Sequence, residues 1–437
     1  MSDKLPADLT LKAQLKQLSI TKGKLSRQIG QLKKAGEPID KALIDMKTLS
    51  TEIKSIEQGL KALNKQSNKA DREPKELFPS HITSPATTST EHTKVQYLTK
   101  EVTNSDLTAW NEYVKKHKAS CAYHLLDFKP IVEQSFGHKA LYLAAYDHQQ
   151  HIVGILPLVH TKSRIFGSYM TSIPYFNYGG PLTDNPSVES QLIQHADRLS
   201  KTLGASHIEI RETNPRQNTP SKTDKMSMFL ALPDSSDTLW SDIGTKARAQ
   251  IKKGLKNNLV FKTGKHELLK DFYRVFSINM RDLGTPVYSI SFFEHILSSK
   301  LDTTLAVQYH EGAPVSCAFL IGYKGCLEIP WASTLRSANK LDSNMVLYWN
   351  ILKFACNNKY LHFDFGRSSK DAPTFKFKKQ WGARPSQLHW HYLLPEGEAL
   401  PNLNPNNPKL KLIIWCWTKL PLFIANALGP FLARSLP

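Results

Sequence analysis

Between residues 95 and 395 one order of elements is written twice: strand, turn, strand, helix, strand. In the first pass Ala140 to Tyr146 and His151 to Val159 read as strands joined by Asp147-His148-Gln149-Gln150. A helix from Ser187 to Leu203 follows, closed by Gly204, and then a strand, His207 to Arg211. In that strand Glu209 and Arg211 alternate with Ile208 and Ile210, the period of a sheet with one apolar face. Asp106 to Lys116 adds a helix with Leu107, Trp110 and Tyr113 on one side. In the second pass Thr304 to Tyr309 and Ser316 to Tyr323 flank Glu311-Gly312. Helices at Glu267–Asn279, Ser291–Ser299 and Asn344–Asn357 lead to a strand that starts at Leu361. The repeat is one of architecture, with little residue identity. Helices laid on a mainly antiparallel sheet, twice over, give an α+β chain with domains at 95–235 and 236–395.

Residues 1–66 form a separate module. Leu11, Leu15, Leu18, Leu25, Ile29 and Leu32 step by three and four, as do Ile39, Leu43, Met46, Ile53, Ile56, Leu60 and Leu63. Gly36 and Pro38 sit where one helix stops and the next starts. The spacing predicts an antiparallel coiled-coil hairpin with arms of about 35–40 Å, at 1.5 Å per residue. Its outer positions are mainly Lys, Gln and Ser, which suit either an RNA-binding arm or an oligomerisation coil. The 67–94 stretch is polar, with Pro74, Pro79 and Pro85, and reads as a flexible linker.

The chain of 437 residues carries 57 Lys and Arg against 38 Asp and Glu, a formal net charge of +19. Such a surplus favours polyanions: nucleic acid, anionic membrane or phosphorylated substrates. Five of these cations fall on one short helix from Thr245 to Asn258, where Lys246, Arg248, Lys252, Lys253 and Lys256 flank an apolar stripe of Ala247, Ile251 and Leu255. The cations are either a phosphate-binding face or a solvated one. Five scattered cysteines form no CxxC pair, and no metal site is expected. Cys317, Cys326 and Cys356 read as buried thiols, and the polar N-terminus carries no secretory signal, so a reducing, cytoplasmic setting is expected. Phosphate-binding P-loop, dinucleotide, HExxH and Gly-x-Ser-x-Gly patterns are missing, which weighs against direct ATP use, zinc hydrolysis and esterase chemistry. His389 and His391 share a strand face with nothing to complete a metal site.

The densest cluster of chemistry is His362 to Ala383, HFDFGRSSKDAPTFKFKKQWGA. Alternation buries Phe363 and Phe365 and turns Asp364 to the other face; Gly366 ends the strand and Arg367 follows. Asp364 and Arg367 are either a structural ion pair or part of a site on a rigid strand end. Residues 396–437 form an apolar and basic tail. Trp415 and Trp417 are flanked by Lys409, Lys411, Lys419 and Arg434, and the run is broken by Lys419, Pro421 and Pro430. A clean span needs about 20 apolar residues, so a segment lying on the membrane surface fits better than one crossing it. Packing on the protein's own core is the other reading.

Phe377-Lys378-Lys379-Gln380-Trp381-Gly382 resembles the Phe-Lys-x-x-aromatic-Gly signature of the FemAB-like aminoacyltransferases, which carry two GNAT-type (N-acetyltransferase-like) domains in tandem. Asp364-Phe365-Gly366-Arg367-Ser368 resembles the motif of the branch found beside exopolysaccharide and exosortase loci. Asn177-Tyr178-Gly179-Gly180-Pro181, Asn279 to Pro286, and Trp331-Ala332-Ser333 with Asn344 and Tyr348 are further echoes in the family's order. The resemblance covers about 95 to 395. The N-terminal hairpin is similar to the tRNA-binding arm of seryl-tRNA synthetases, although Fem-type ligases that carry such an arm have it inside the second domain.

The resemblance implies transfer from aminoacyl-tRNA to an amine of a cell-envelope or exopolysaccharide precursor, with no tightly bound cofactor. On that reading Lys378 and Arg367 hold phosphate or the oxyanion, and Asp364 orients Arg367 or accepts the amine proton. Pairing with Arg367 would leave Asp364 a weak base. Asn177, Tyr178, Arg211, Glu212, Trp331, Asn344 and Trp381 are candidate substrate contacts. Acetyl-CoA users of the fold hold pyrophosphate on a Gln/Arg-x-x-Gly-x-Gly/Ala loop that opens a helix. The nearest strings, Arg164 to Tyr169 and Gln134 to Lys139, lack the last small residue. An acyl-CoA-dependent N-acyltransferase and a non-catalytic RNA- or membrane-binding scaffold are the alternatives. The setting expected is the cytoplasm or the inner face of the cytoplasmic membrane, with tail contact through 409–437 and oligomer contact through 1–66.

Overall fold

The computed structural model describes residues 7–70, 78–83, 96–163, 166–401 and 408–435. The chain divides into two compact units, 1–75 and 76–437. The first is a helical hairpin, Ala7–Ala35 and Asp40–Ala70. Its arms of 29 and 31 residues exceed the sequence estimate, because helix continues past the last apolar step on both sides. Leu11, Leu15, Leu18, Leu25, Ile29 and Leu32 are all half-buried, as predicted, and Gly36 makes the turn at φ +72°. Leu43 departs from its predicted stripe: it is exposed and Ala42 is buried instead. The side chains of Leu60 and Leu63 lie outside the described residues.

In the second unit the described residues form three sheets. A three-stranded sheet pairs Leu98–Glu101, Leu143–Tyr146 and Ile152–Leu156. A six-stranded sheet runs Lys139–Ala140, Val159–Ser163, Gly167–Thr171, Ile208–Glu212, His389–Leu393, Ser221–Lys222. A seven-stranded sheet runs Val260–Gly264, Asp302–His310, Ala313–Tyr323, Cys326–Thr334, His362–Ser369, Lys225–Ala231, Arg384–Gln387. The strand expected across 151–159 is therefore two strands in different sheets, parted at Pro157, which has no N–H for a ladder. The sheets also cross the sequence blocks. Lys225–Ala231, from the first block, lies inside the seven-stranded sheet, and His389–Leu393, from the second, lies inside the six-stranded one. Each half thus lends the other a strand, and one core cluster runs from Trp110 and Phe128 through Phe176 to Phe292 and Trp331.

Three local expectations change. The basic helix stops at Gly254, and Leu255 begins a 3-10 turn and is exposed. Gly254 ends the buried stripe in its place, because a Cβ there would sit 2.5 Å from Val346. The Asp364 strand does not stop at Gly366 but continues to Ser369. Within the 67–94 stretch the hairpin helix runs to Ala70, Ser80–Thr83 forms a helical turn, and Phe78 packs its edge on Phe229 with ring centres 6.0 Å apart. The parts at 71–77 and 84–94, where the flexible linker is expected, lie outside the described residues. The tail folds as two helices, Pro408–Thr418 and Leu422–Ala433, against Leu269–Asp282. No helix among the described residues is long and apolar enough to cross a membrane.

Candidate active site

The Asp364 strand runs parallel to the Glu328 strand (Cys326–Thr334) through three register pairs ending at Glu328 and Asp364. On its other side it is antiparallel to Lys225–Ala231, with a register shift between Asp364 and Arg367. Gly366 makes this bulge at φ +71°, and a Cβ there would lie 3.5 Å from the Ile329 carbonyl oxygen. Two buried carboxylates therefore stand side by side where two parallel strands stop pairing.

Asp364 is fully buried. Its carboxylate accepts from the Tyr178 hydroxyl (2.8 Å), the Ser227 hydroxyl (2.9 and 3.1 Å) and the Gly366 N–H (2.7 Å). Glu328 accepts from the Asn177 side-chain amide at 3.1 Å. Lys378 Nζ donates to the carbonyls of Gly366 (3.0 Å) and Arg367 (2.8 Å) and so pins the bulge from below. Burial raises both carboxyls above their ordinary range, and the Asp364 charge raises Glu328 further. Burial also lowers Lys378 from 10.5 to about 8, an effect that neighbouring Asp364 and Glu328 partly offset.

Asp364 does not pair with Arg367. The bulge turns the Arg367 side chain away from Asp364 into an accessible recess beside Trp390, its guanidinium 5.4 Å from the ring centre, where burial and then neighbouring Arg211 lower its pKa. Arg211 lies 4.2 Å from the same ring, and its Nε donates to Glu209 at 2.6 Å in a buried ion pair. Asp364 therefore lacks the guanidinium partner that would have held its carboxyl ionised.

Tyr178 connects this cluster to a cavity of about 820 Å³ in the first half of the body, lined among others by Gly180, Arg211, Glu212 and Arg216. Glu212 accepts from Arg216 Nε at 2.9 Å, and burial pushes its carboxyl up to about 7. The linker segment covers the Tyr178 end of the cavity. The His81 ring stacks on Tyr178 with centres 5.2 Å apart, and the His81 carbonyl accepts from the Thr213 hydroxyl at 3.1 Å.

Asn177, Tyr178, Asp364 and Lys378 thus come together, with the guanidiniums of Arg211 and Arg367 both near the Trp390 ring. Trp331 sits in the aromatic core with Phe176 and Phe292. Asn344 lies at the far end of the Glu328 strand, where its side-chain oxygen accepts from Thr334 at 3.2 Å. Trp381 packs on Tyr348 and Phe377 in the core behind Phe363 and Phe365, on the opposite face from Asp364. On the basic helix Lys246, Lys252, Lys253 and Lys256 are exposed, Lys253 pairs with Asp342 at 2.8 Å, and Arg248 is half-buried. His391 Nε2 lies 3.0 Å from the Asn214 carbonyl and stacks on His389. Sequence reasoning missed Glu328, Ser227 and His81. A lone carboxylate in the apolar run Cys326-Leu327-Glu328-Ile329 was the available signal for the first.

Neither pyrophosphate-loop string opens a helix. Gln134 to Lys139 closes one, with Gly137 as its left-handed cap. Phe166 to Tyr169 belongs to a strand connection, and Arg164 and Ile165 lie outside the described residues. The helix after the Glu328 strand, Ser343–Asn357, has Asp342 at its N-cap, a carboxylate where an anion would need to sit.

Residues 245–379 match the family described as Acetyltransferase (GNAT) domain. Among solved structures, FemX superposes over 72% of this chain and 100% of its own, with 16% identity and a TM-score of 0.52. A tandem GNAT protein from the clavulanic acid biosynthesis pathway covers 70% of this chain and 100% of its own (9% identity, TM-score 0.45). L-PGS from Bacillus licheniformis covers 74% and 99% (12% identity, TM-score 0.44). No curated protein matches by sequence. The match marks 245–379 as a GNAT acetyltransferase domain, and the body has the GNAT fold. The body shares the fold of FemX, two GNAT-like domains in tandem, and a helical hairpin precedes it in the chain.

Proposed function

We propose that the protein moves an aminoacyl group from aminoacyl-tRNA to an amine of a cell-envelope or exopolysaccharide precursor at the inner face of the cytoplasmic membrane. The observation that carries this reading is the pair Asp364 and Glu328, buried without an arginine where two parallel strands part. A carboxylate whose affinity for protons is raised by burial is a better base near neutrality than an ordinary one. The amine nitrogen bonds to the ester carbonyl carbon, its proton passes to Asp364, and the ester C–O bond breaks. The leaving hydroxyl takes back a proton through Tyr178, whose O–H already points at Asp364. Lys378 holds the Gly366 bulge in place and adds positive charge beside the developing oxyanion. Arg367, exposed over Trp390, and the cations of the basic helix suit the phosphates of a tRNA donor, and the N-terminal hairpin supplies either a further RNA contact or an oligomer contact.

An acyl-CoA donor is the second reading, favoured by the GNAT match itself. It is opposed by the closed-off loop strings and by Asp342 at the helix N-terminus. The deciding experiment isolates RNA bound to the full chain and to Lys378→Ala, and then measures transfer from charged tRNA and from acyl-CoA to an amine acceptor. Enrichment of one tRNA with transfer from its charged form supports the proposal. Transfer from acyl-CoA alone overturns the donor. Polyanion binding without turnover by either route leaves a scaffold.

A further inference from the structure

The two C-terminal helices are packed inside out. On Leu422–Ala433 the face turned to the protein is small: Ala425, Gly429 and Ala433 are buried, and a Cβ at Gly429 would meet Val287 at 2.9 Å. The large side chains point outward, with Phe423 75% and Phe431 68% exposed. On Pro408–Thr418, Leu412, Ile413 and Trp415 are 61%, 62% and 59% exposed, while Trp417 is buried. Between the helices runs the 283–290 segment. Gly284 there abuts Ile414 and Val287 abuts Gly429, and Leu283 and Ile290 add exposed apolar surface. The three outward aromatics alone leave roughly 400 Å² of apolar area in water, at about 150–250 Å² per ring side chain, as much as the largest patch of a typical soluble monomer.

We infer that this face is a docking surface for an anionic lipid bilayer. Charge decides between a bilayer and a second copy of the chain. No Asp or Glu follows Glu398, so the two helices carry none, whereas Lys411, Lys419 and Arg434 are exposed. The acids bordering the 283–290 segment are Asp282, paired with Arg281 at 2.7 Å, and Glu294. Lys419 Nζ sits 5.9 Å from the Trp415 ring centre, a cation beside an aromatic anchor. A two-fold self-interface would press like charges together, whereas anionic headgroups neutralise them while the rings enter the acyl boundary. Two short helices lying in the interface plane are enough for this and need no span.

The face also leads toward the chemistry. The Arg434 carbonyl at its edge accepts from the Tyr175 hydroxyl at 3.2 Å, and Tyr175 packs on Tyr288, which packs on Trp331. A lipid-linked acceptor held at the membrane would thus meet the aromatic side of the body. The surface itself is independent of the transfer reading.

The test is flotation of the full chain with vesicles of phosphatidylcholine alone or of phosphatidylcholine and phosphatidylglycerol in equal parts. The wild type is expected to float with the anionic vesicles and not with the neutral ones. The double variant Phe423→Ser, Phe431→Ser should lose at least about tenfold in partitioning with an unchanged thermal midpoint, because both rings are already exposed. Lys411→Glu, Lys419→Glu should lose binding in a salt-dependent way. Equal partitioning of wild type and the ring variant overturns the inference. So does a concentration-dependent dimer that the ring variant abolishes in a chain that binds no vesicles. No turnover enters these readouts, so loss of the transfer reading would leave them intact.

Discussion

The two halves of the body use an acid and an arginine on corresponding strands in opposite ways. In Ile208–Glu212 the pair is Glu209 and Arg211, two residues apart, so the strand period puts them on one face. They meet at 2.6 Å, both buried, and Arg211 also donates to the Phe176 carbonyl. In His362–Ser369 the pair is Asp364 and Arg367, three apart, with Gly366 bulged between them. The extra residue throws Arg367 outward and leaves Asp364 beside Glu328, with hydroxyls and an N–H for company. The first arrangement is electrically closed and holds two strands and a loop together. The second keeps two carboxylates under strain from their own burial, which is the condition of a group that exchanges protons.

The largest expected effect separates these roles by chemistry. Asp364→Asn keeps the shape of the side chain but cannot take up the amine proton, so transfer should fall by about 10²–10⁴-fold, the span of a lost general base. Single-turnover rates, with circular dichroism to show an intact fold, are the measurement. A rate within threefold of wild type would make Asp364 structural like its counterpart.

Next in size is the closed pair. Glu209→Ala leaves Arg211 buried without its carboxylate, which should cost about 3–5 kcal/mol of stability. Urea unfolding checks this. At temperatures where the variant stays folded, its transfer rate should remain near that of wild type. A large loss of rate with little loss of stability would erase the contrast between the halves.

Much of this contrast was readable in the sequence and part was not. Alternation placed Asp364 opposite Phe363 and Phe365, and the Phe-Lys motif singled out Lys378. The neighbour that matters most to Asp364 was hidden, because Glu328 is one carboxylate in an apolar run and only the parallel register brings it alongside. Ser227 was hidden for a related reason. Its strand reads as the end of the first block, and nothing local says that it inserts into the other sheet. Arg367 was legible as a cation and misplaced in space, since its direction depends on whether Gly366 ends the strand or bulges it. The tail was ambiguous because periodicity cannot tell which side of a short apolar helix faces the protein; the small residues at 425, 429 and 433 settle that only once their neighbours are known.

A third experiment sharpens the open half through pH. Lys378 titrates near 8 in the folded chain against 10.5 ordinarily. Below about 8 it is charged in both states, and the cost of burying that charge is present in full. Between the two values the unfolded chain holds a proton that the folded chain has released, so stability should rise with pH, by roughly 3 kcal/mol over the window. Lys378→Met should flatten that rise in urea titrations run across it. Transfer, if it needs the cation, should fall over the same window in which stability grows. A parallel rise of both would remove Lys378 from the charge balance of the site.

The smallest effect tests whether the closed and open halves are bridged by the linker. His81 stacks on Tyr178, and burial lowers its ring to about 3, so it stays neutral and seated at physiological pH. His81→Ala removes the stack and should cost about 1 kcal/mol, the scale of one aromatic pair. It should also open the cavity that Cys121 lines. In a Cys416→Ser background, where the exposed thiol is gone, alkylation of Cys121 should then quicken by about the fivefold that 1 kcal/mol allows. If the rate instead stays at its wild-type value while stability drops, the segment is only a brace, and Tyr178 is reached from the Trp390 side, past Arg367.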